Sequence, residues 1–90
     1  MDISGAAEKE INRMNVVFGK LEFAKKSALA DEFYDFAKRY FEDGKYFYKN
    51  EKFIEAFEAE IISWAYIDAG LKLGFFNVPK ELRKVFTIGE

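Results

Sequence analysis

Ninety residues can enclose one hydrophobic core, and a chain that is 50% hydrophobic and 33% charged has the balance of a globular domain rather than a disordered segment. A net charge of −2 with thinly spread basic residues argues against a phosphate-binding surface, and the lack of cysteine and histidine removes disulfides, thiolate and imidazole metal ligands and the commonest nucleophiles. The apolar runs are short and the chain opens Met1-Asp2-Ile3-Ser4, so neither a membrane span nor a signal peptide is expected and the cytosol is the expected compartment.

Apolar residues at Ile3, Ala7, Ile11, Met14, Val17, Phe18, Leu21, Ala24 and Ala28 keep the three-and-four spacing of an amphipathic helix, which predicts a first helix over 3–28. Asp2 or Ser4 can cap its N-terminus, and Lys25 and Lys26 suit the negative end of its dipole. A break is expected near residues 27–30. Asp31 then reads as the N-cap of a second helix over 31–49, with Phe33, Phe36, Ala37, Tyr40, Phe41, Gly44, Phe47 and Tyr48 in helical period. Gly44 falls on the inward arc of that helix, where a missing side chain lets another helix approach closely. Lys49-Asn50-Glu51-Lys52 is a short polar connection of the kind that joins antiparallel helices.

The third helix is expected over 53–73, with Ile54, Phe57, Ile61, Trp64, Asp68 and Leu71 on one arc and Gly74 as a left-handed C-cap. Pro79 opens a short helical turn over 79–86 whose Leu82, Val85 and Phe86 can lie back on the bundle. The expected fold class is therefore all-α, a single domain over 1–90 built as a three-helix up-and-down bundle with a short C-terminal helical turn.

Asp68 breaks the rules of this bundle. A carboxylate among apolar side chains costs several kcal/mol unless donors answer it. In an up-down-up bundle the C-terminal ends of the first and third helices share a level, so Lys25 is the expected partner, with Arg39 or a tyrosine hydroxyl as alternatives. The expected buried or structural polar residues are thus Asp68, Lys25 and Asp43. Level counting sets Asp43 opposite roughly Glu60, about two turns from Asp68, which argues against paired carboxylates. Glu55, Glu58 and Glu60 read with Lys52 as a solvated face rather than metal ligands. No catalytic residue, metal site or cofactor is expected.

Tyr40-Phe41-Glu42-Asp43-Gly44-Lys45-Tyr46-Phe47, then Glu55-Ala56-Phe57-Glu58, then Trp64-Ala65-Tyr66-Ile67-Asp68-Ala69-Gly70-Leu71-Lys72-Leu73-Gly74 together resemble the archaeal domain of unknown function 357 family. The resemblance covers roughly the second half of the chain, and Gly44 stands where that family tends to have alanine. It implies an up-and-down three-helix bundle with no assigned activity.

Eleven Phe, five Tyr and one Trp make 19% of the chain, more ring surface than three short helices easily hide. Tyr66, Ile62, Tyr34, Tyr46 and Phe23 fall outside the inward arcs of their helices, and with Phe76 they form the candidate interaction surface. The expected function is a non-catalytic protein interaction or self-association module, with a protein as partner and no membrane contact. Nucleic acid is disfavoured by the charge. The alternatives are an RNA- or ribonucleoprotein-associated domain acting through scattered lysines, and a small-ligand binder centred on Asp68.

Overall fold

The computed structural model describes residues 2–87. The Asp2 carboxylate accepts the Ser4 backbone N–H at 3.1 Å and starts α1, Ile3–Lys20. The first helix therefore ends eight residues before the 28 that its periodicity suggested. Leu21 turns extended, and Glu22–Phe23 form a two-residue strand, β1, antiparallel to β2 at Phe76–Asn77, with Glu22 opposite Asn77 and Phe23 opposite Phe76. The Ala24 backbone N–H also donates to the Phe75 carbonyl at 2.8 Å. Backbone groups that a longer helix would have satisfied internally are satisfied instead across the molecule.

The second helix begins earlier than expected. Ser27, not Asp31, is the N-cap: its hydroxyl accepts the Ala30 N–H at 3.0 Å, and α2 runs Ala28–Lys49 with Asp31 in its first turn, where an acidic side chain suits the helix dipole. A three-residue polar connection leads to α3, Phe53–Lys72. Gly74, at φ 78°, ends α3 in the left-handed conformation, with its N–H donating to Leu71 O at 3.1 Å and the Phe75 N–H to Gly70 O at 2.8 Å. A 3-10 turn at Lys80–Val85 follows Pro79. The fold is the expected all-α three-helix up-and-down bundle, with a minute two-stranded ladder added where α1 and α3 end.

The inward face of α3 differs from the expected one by about a third of a turn. Its buried residues are Ala56, Ala59, Glu60, Ser63, Ile67, Asp68 and Gly70, whereas Ile54 and Ile61 are exposed. Apolar residues surround α3 almost completely, so their spacing does not by itself select a phase. Close packing selects it. Small residues turned toward α2 let the two backbones approach, and the Ser63 hydroxyl donates to Ala37 O at 2.6 Å across the seam. Most of the bulk is supplied from the neighbours: Phe41, Met14, Val17 and Phe76 fill the core together with Ile67 of α3.

Gly70 shows how tight this packing is, because a Cβ there would overlap the edge of the buried Phe76 ring. Gly70→Ala is expected to lower stability by about 1–3 kcal/mol, against the usual gain for alanine within a helix, as read from the thermal midpoint. A midpoint at or above that of the parent would show that the ring can move aside.

Candidate functional site

Asp68 is 8% exposed, and its oxygens are answered from the C-terminal segment. The Thr87 backbone N–H donates to Oδ1 at 2.8 Å, the Thr87 hydroxyl donates to Oδ2 at 2.7 Å, and Lys72 Nζ lies 3.6 Å from Oδ2. Lys25 plays no part. It lies in the connection after α1, exposed, because α1 stops at Lys20 and does not carry it to the level of Asp68. Asp43 is exposed as well, beside the buried Gly44 on α2, and is not a buried polar residue.

One turn before Asp68, the Trp64 indole N–H donates to Val85 O at 2.8 Å, and its ring stacks on Phe86 at 5.9 Å and 8°. The stretch holding the sole tryptophan is therefore a platform that clasps the 3-10 turn and the residues after it. Each Asp68 oxygen thus accepts one hydrogen bond from Thr87, so the carboxylate is engaged within the chain.

Glu60 is the polar residue that sequence reasoning misplaced. It is 0% exposed, and neither carboxyl oxygen meets a protein hydrogen-bond partner. Its head lies beneath Gly44 of α2, where an added Cβ would sit 2.8 Å from the carboxyl carbon. Burial pushes its pKa up to about 8; Lys45 pulls it down, and the Glu10 and Glu42 carboxylates push it up. Burial dominates, so at neutral pH the group is mostly the uncharged acid. A signal was available in the opposition of Gly44, a mid-helix glycine, to the level of residue 60.

The six candidate interaction residues do not form one patch. Phe76 is buried, and Phe23 packs edge-on against it at 5.2 Å and against Tyr34 at 5.3 Å, so these three belong to the junction of α1, α2 and the strands. Tyr46, 65% exposed, stands apart near the far end of α2. Ile62 and Tyr66 are brought together. Tyr66 is half-buried and stacks on Phe36 at 5.4 Å, and with Phe33, Ile61, Ile62, Ala65 and Ala69 it lines a shallow apolar depression of about 330 Å³ on the outer side of α3. Sequence reasoning missed Ile54, Ile61 and Leu73, which extend this surface along the helix.

A family model described as "Protein of unknown function (DUF357)" matches residues 5–76. The chain belongs to the DUF357 family. A crystal structure of a DUF357 protein from Archaeoglobus fulgidus has the same fold at a TM-score of 0.74 and 20% identity, over 87% of this chain and 95% of the other. No curated protein matches the chain. In this DUF357 protein the matched stretch ends at Phe76, so Val85, Phe86 and Thr87, which receive Trp64 and Asp68, lie beyond it.

Two measurements test this geometry. Asp68→Ala removes the acceptor for two Thr87 donors and is expected to cost about 1–3 kcal/mol, with a red shift of the sole tryptophan's emission as Phe86 leaves its ring. An unshifted spectrum would refute the clasp. Glu60 retains its proton in the native state to about pH 8, while the unfolded chain releases it near the ordinary 4.5. Its burial therefore carries no ionisation penalty below the unfolded value, and the penalty grows, lowering stability, as pH rises toward the folded one. The slope in that window is about −1.4 kcal/mol per pH unit. Urea unfolding across the window is expected to show this extra slope in the parent and to lack it in Glu60→Gln; equal slopes would disprove the buried neutral acid.

Proposed function

We propose that this DUF357 protein is a non-catalytic interaction module, acting in the cytosol, and that the outer face of α3 is its docking surface. The observation that carries the reading is that α3, apolar nearly all round, leaves one face uncovered. Ile54 is 61% exposed and Leu73 55%, and Ile61, Ile62 and Ala65 lie exposed between them. A helix with apolar residues on most sides normally lies within a larger core, and an exposed apolar patch on a small domain, here Ile61, Ile62, Ala65 and Tyr66 with the exposed Glu55 and Glu58 beside it, marks a surface that a partner covers.

The other readings draw less support. The occupied oxygens of Asp68 count against a ligand centred there, and the neutral acid of Glu60 has no solvent access. A protein with net charge −2 has little to attract a nucleic-acid backbone. Among the described residues no helix is long and apolar enough to cross a membrane.

In native extract the chain is expected to run in a species larger than its own 10.5 kDa, and Ile62→Glu is expected to return it to the monomer position with an unchanged thermal midpoint. Migration of the parent chain as a monomer, both pure and in extract, would overturn the module reading.

A further inference from the structure

The C-terminal segment is held on α3 by one short run of residues. The 3-10 turn after Pro79 buries no side chain of its own, and the bonds to α3 come from Val85, Phe86 and Thr87. Phe86 is extended, at φ −118° and ψ 172°. With that backbone the Val85 carbonyl accepts the Trp64 indole N–H, and the Thr87 N–H, two residues on, donates to Asp68. Between them the Phe86 ring lies flat on the indole, and the Thr87 hydroxyl donates to the second carboxylate oxygen. What engages Asp68 is therefore itself a peptide. α3 reads its main chain, which any protein carries, and two side-chain features, an aromatic ring and a hydroxyl.

The place taken by this strap keeps its character without the strap. Lys72 Nζ lies 3.6 Å from Asp68 Oδ2, so the carboxylate retains a partner when Thr87 leaves. Nor does the strap fill the space offered to it: a hollow of about 200 Å³ remains beside Val85, bounded also by Glu10, Arg13, Ile61 and Trp64. A short turn anchored at its last residues opens at a lower free energy than a packed bundle.

We propose that Trp64 and Asp68 form a peptide-binding slot that the chain's own residues 79–87 hold shut. The partner is a protein segment presented extended, with a large aliphatic residue, then an aromatic one, then serine or threonine. Its aliphatic side chain enters the hollow beside Val85, its ring takes the place of Phe86, and its hydroxyl the place of Thr87. The strap thus imitates the partner but leaves the hollow empty, so a segment that fills it displaces the strap. This slot lies on the other flank of α3 from the depression at Ile62 and Tyr66, and it stands or falls separately from that surface.

The probe is a synthetic peptide of residues 79–87, and the readout is the emission of the sole tryptophan, which the peptide lacks. In the full chain, Thr87→Pro removes both donors to Asp68 from an exposed position and is expected to loosen the strap and shift the emission to the red. The native peptide is expected to reverse that shift, and a peptide carrying the same Thr87→Pro change to fail. A Val85→Leu peptide is expected to bind about fourfold more tightly than the native one, the gain for one further buried methylene; no gain would sink the assignment of the hollow to the partner. The parent chain is expected to bind the native peptide at least about tenfold more weakly than the variant does, because its tethered strap competes at an effective concentration on the order of millimolar. A Thr87→Pro chain whose emission is unmoved by millimolar native peptide would overturn the slot. A second measurement needs no variant. In the parent chain, hydrogen exchange at the Trp64 indole is expected to outpace exchange at the buried Ile67 amide, and equal rates would show that the strap opens only with the whole bundle, against a displaceable strap.

Discussion

The close approach of α2 and α3 is the constraint on which the rest of this molecule depends. The Ser63 hydroxyl of α3 is bonded to the Ala37 carbonyl of α2, Gly44 of α2 faces the Glu60 head, and Ala56, Ala59 and Gly70 are small residues buried along the same helix, Gly70 against the Phe76 ring. A seam of small residues brings backbones together but buries little apolar area per residue. Apart from Ile67 and Glu60, which are buried, the large side chains of α3 lie on its flanks. On one flank Trp64 is covered by Phe86, and the neighbouring Asp68 is bonded to Thr87. On the other, Ile61, Ile62 and Ala65 remain bare. The clasp and the proposed docking surface are two outcomes of the same packing choice.

Glu60 is part of that choice. Gly44 leaves a hollow between the helices, and the glutamate head occupies it without a hydrogen-bond partner. A buried polar group left unpaired costs on the order of 1–3 kcal/mol or more, so this position is a local weakness in an otherwise dense interface. Its uncharged form keeps the cost tolerable, since an ionised carboxylate there would have to shed far more hydration.

Much of the architecture was legible in the sequence because it depends on local chemistry. The 3.6-residue period located three helices, the polar run after Lys49 located the hairpin between α2 and α3, and Gly74 located the end of α3. The end of α1 was not legible, because residues 21–28 keep a helical period while the hydrogen bonds that unwind them come from Phe75 to Asn77, more than fifty residues away in sequence. The phase of α3 was hidden for a different reason. Apolar residues on every side carry no preferred direction, and the deciding feature was the size of the side chains rather than their hydrophobicity. The same error of phase placed Glu60 in solvent, whereas Asp68 was given to Lys25 because α1 was expected to run on to 28 and it stops at Lys20. That Asp68 needed donors followed from its chemistry alone, but that they come from Thr87 depends on where the C-terminal segment runs.

The two-residue ladder at the ends of α1 and α3 has a mechanical consequence out of proportion to its size. Packed helices slip most easily by one turn, about 5.4 Å, because the side-chain pattern nearly repeats there. Strands repeat along their length every two residues, about 6.6 Å, and sideways at about 4.8 Å. A slip of one helical turn matches neither spacing, so it would part Phe23 from Phe76 whichever way it ran. The two pairs of the ladder thus admit a single register, and holding it keeps the end of α1 at one height beside the end of α3.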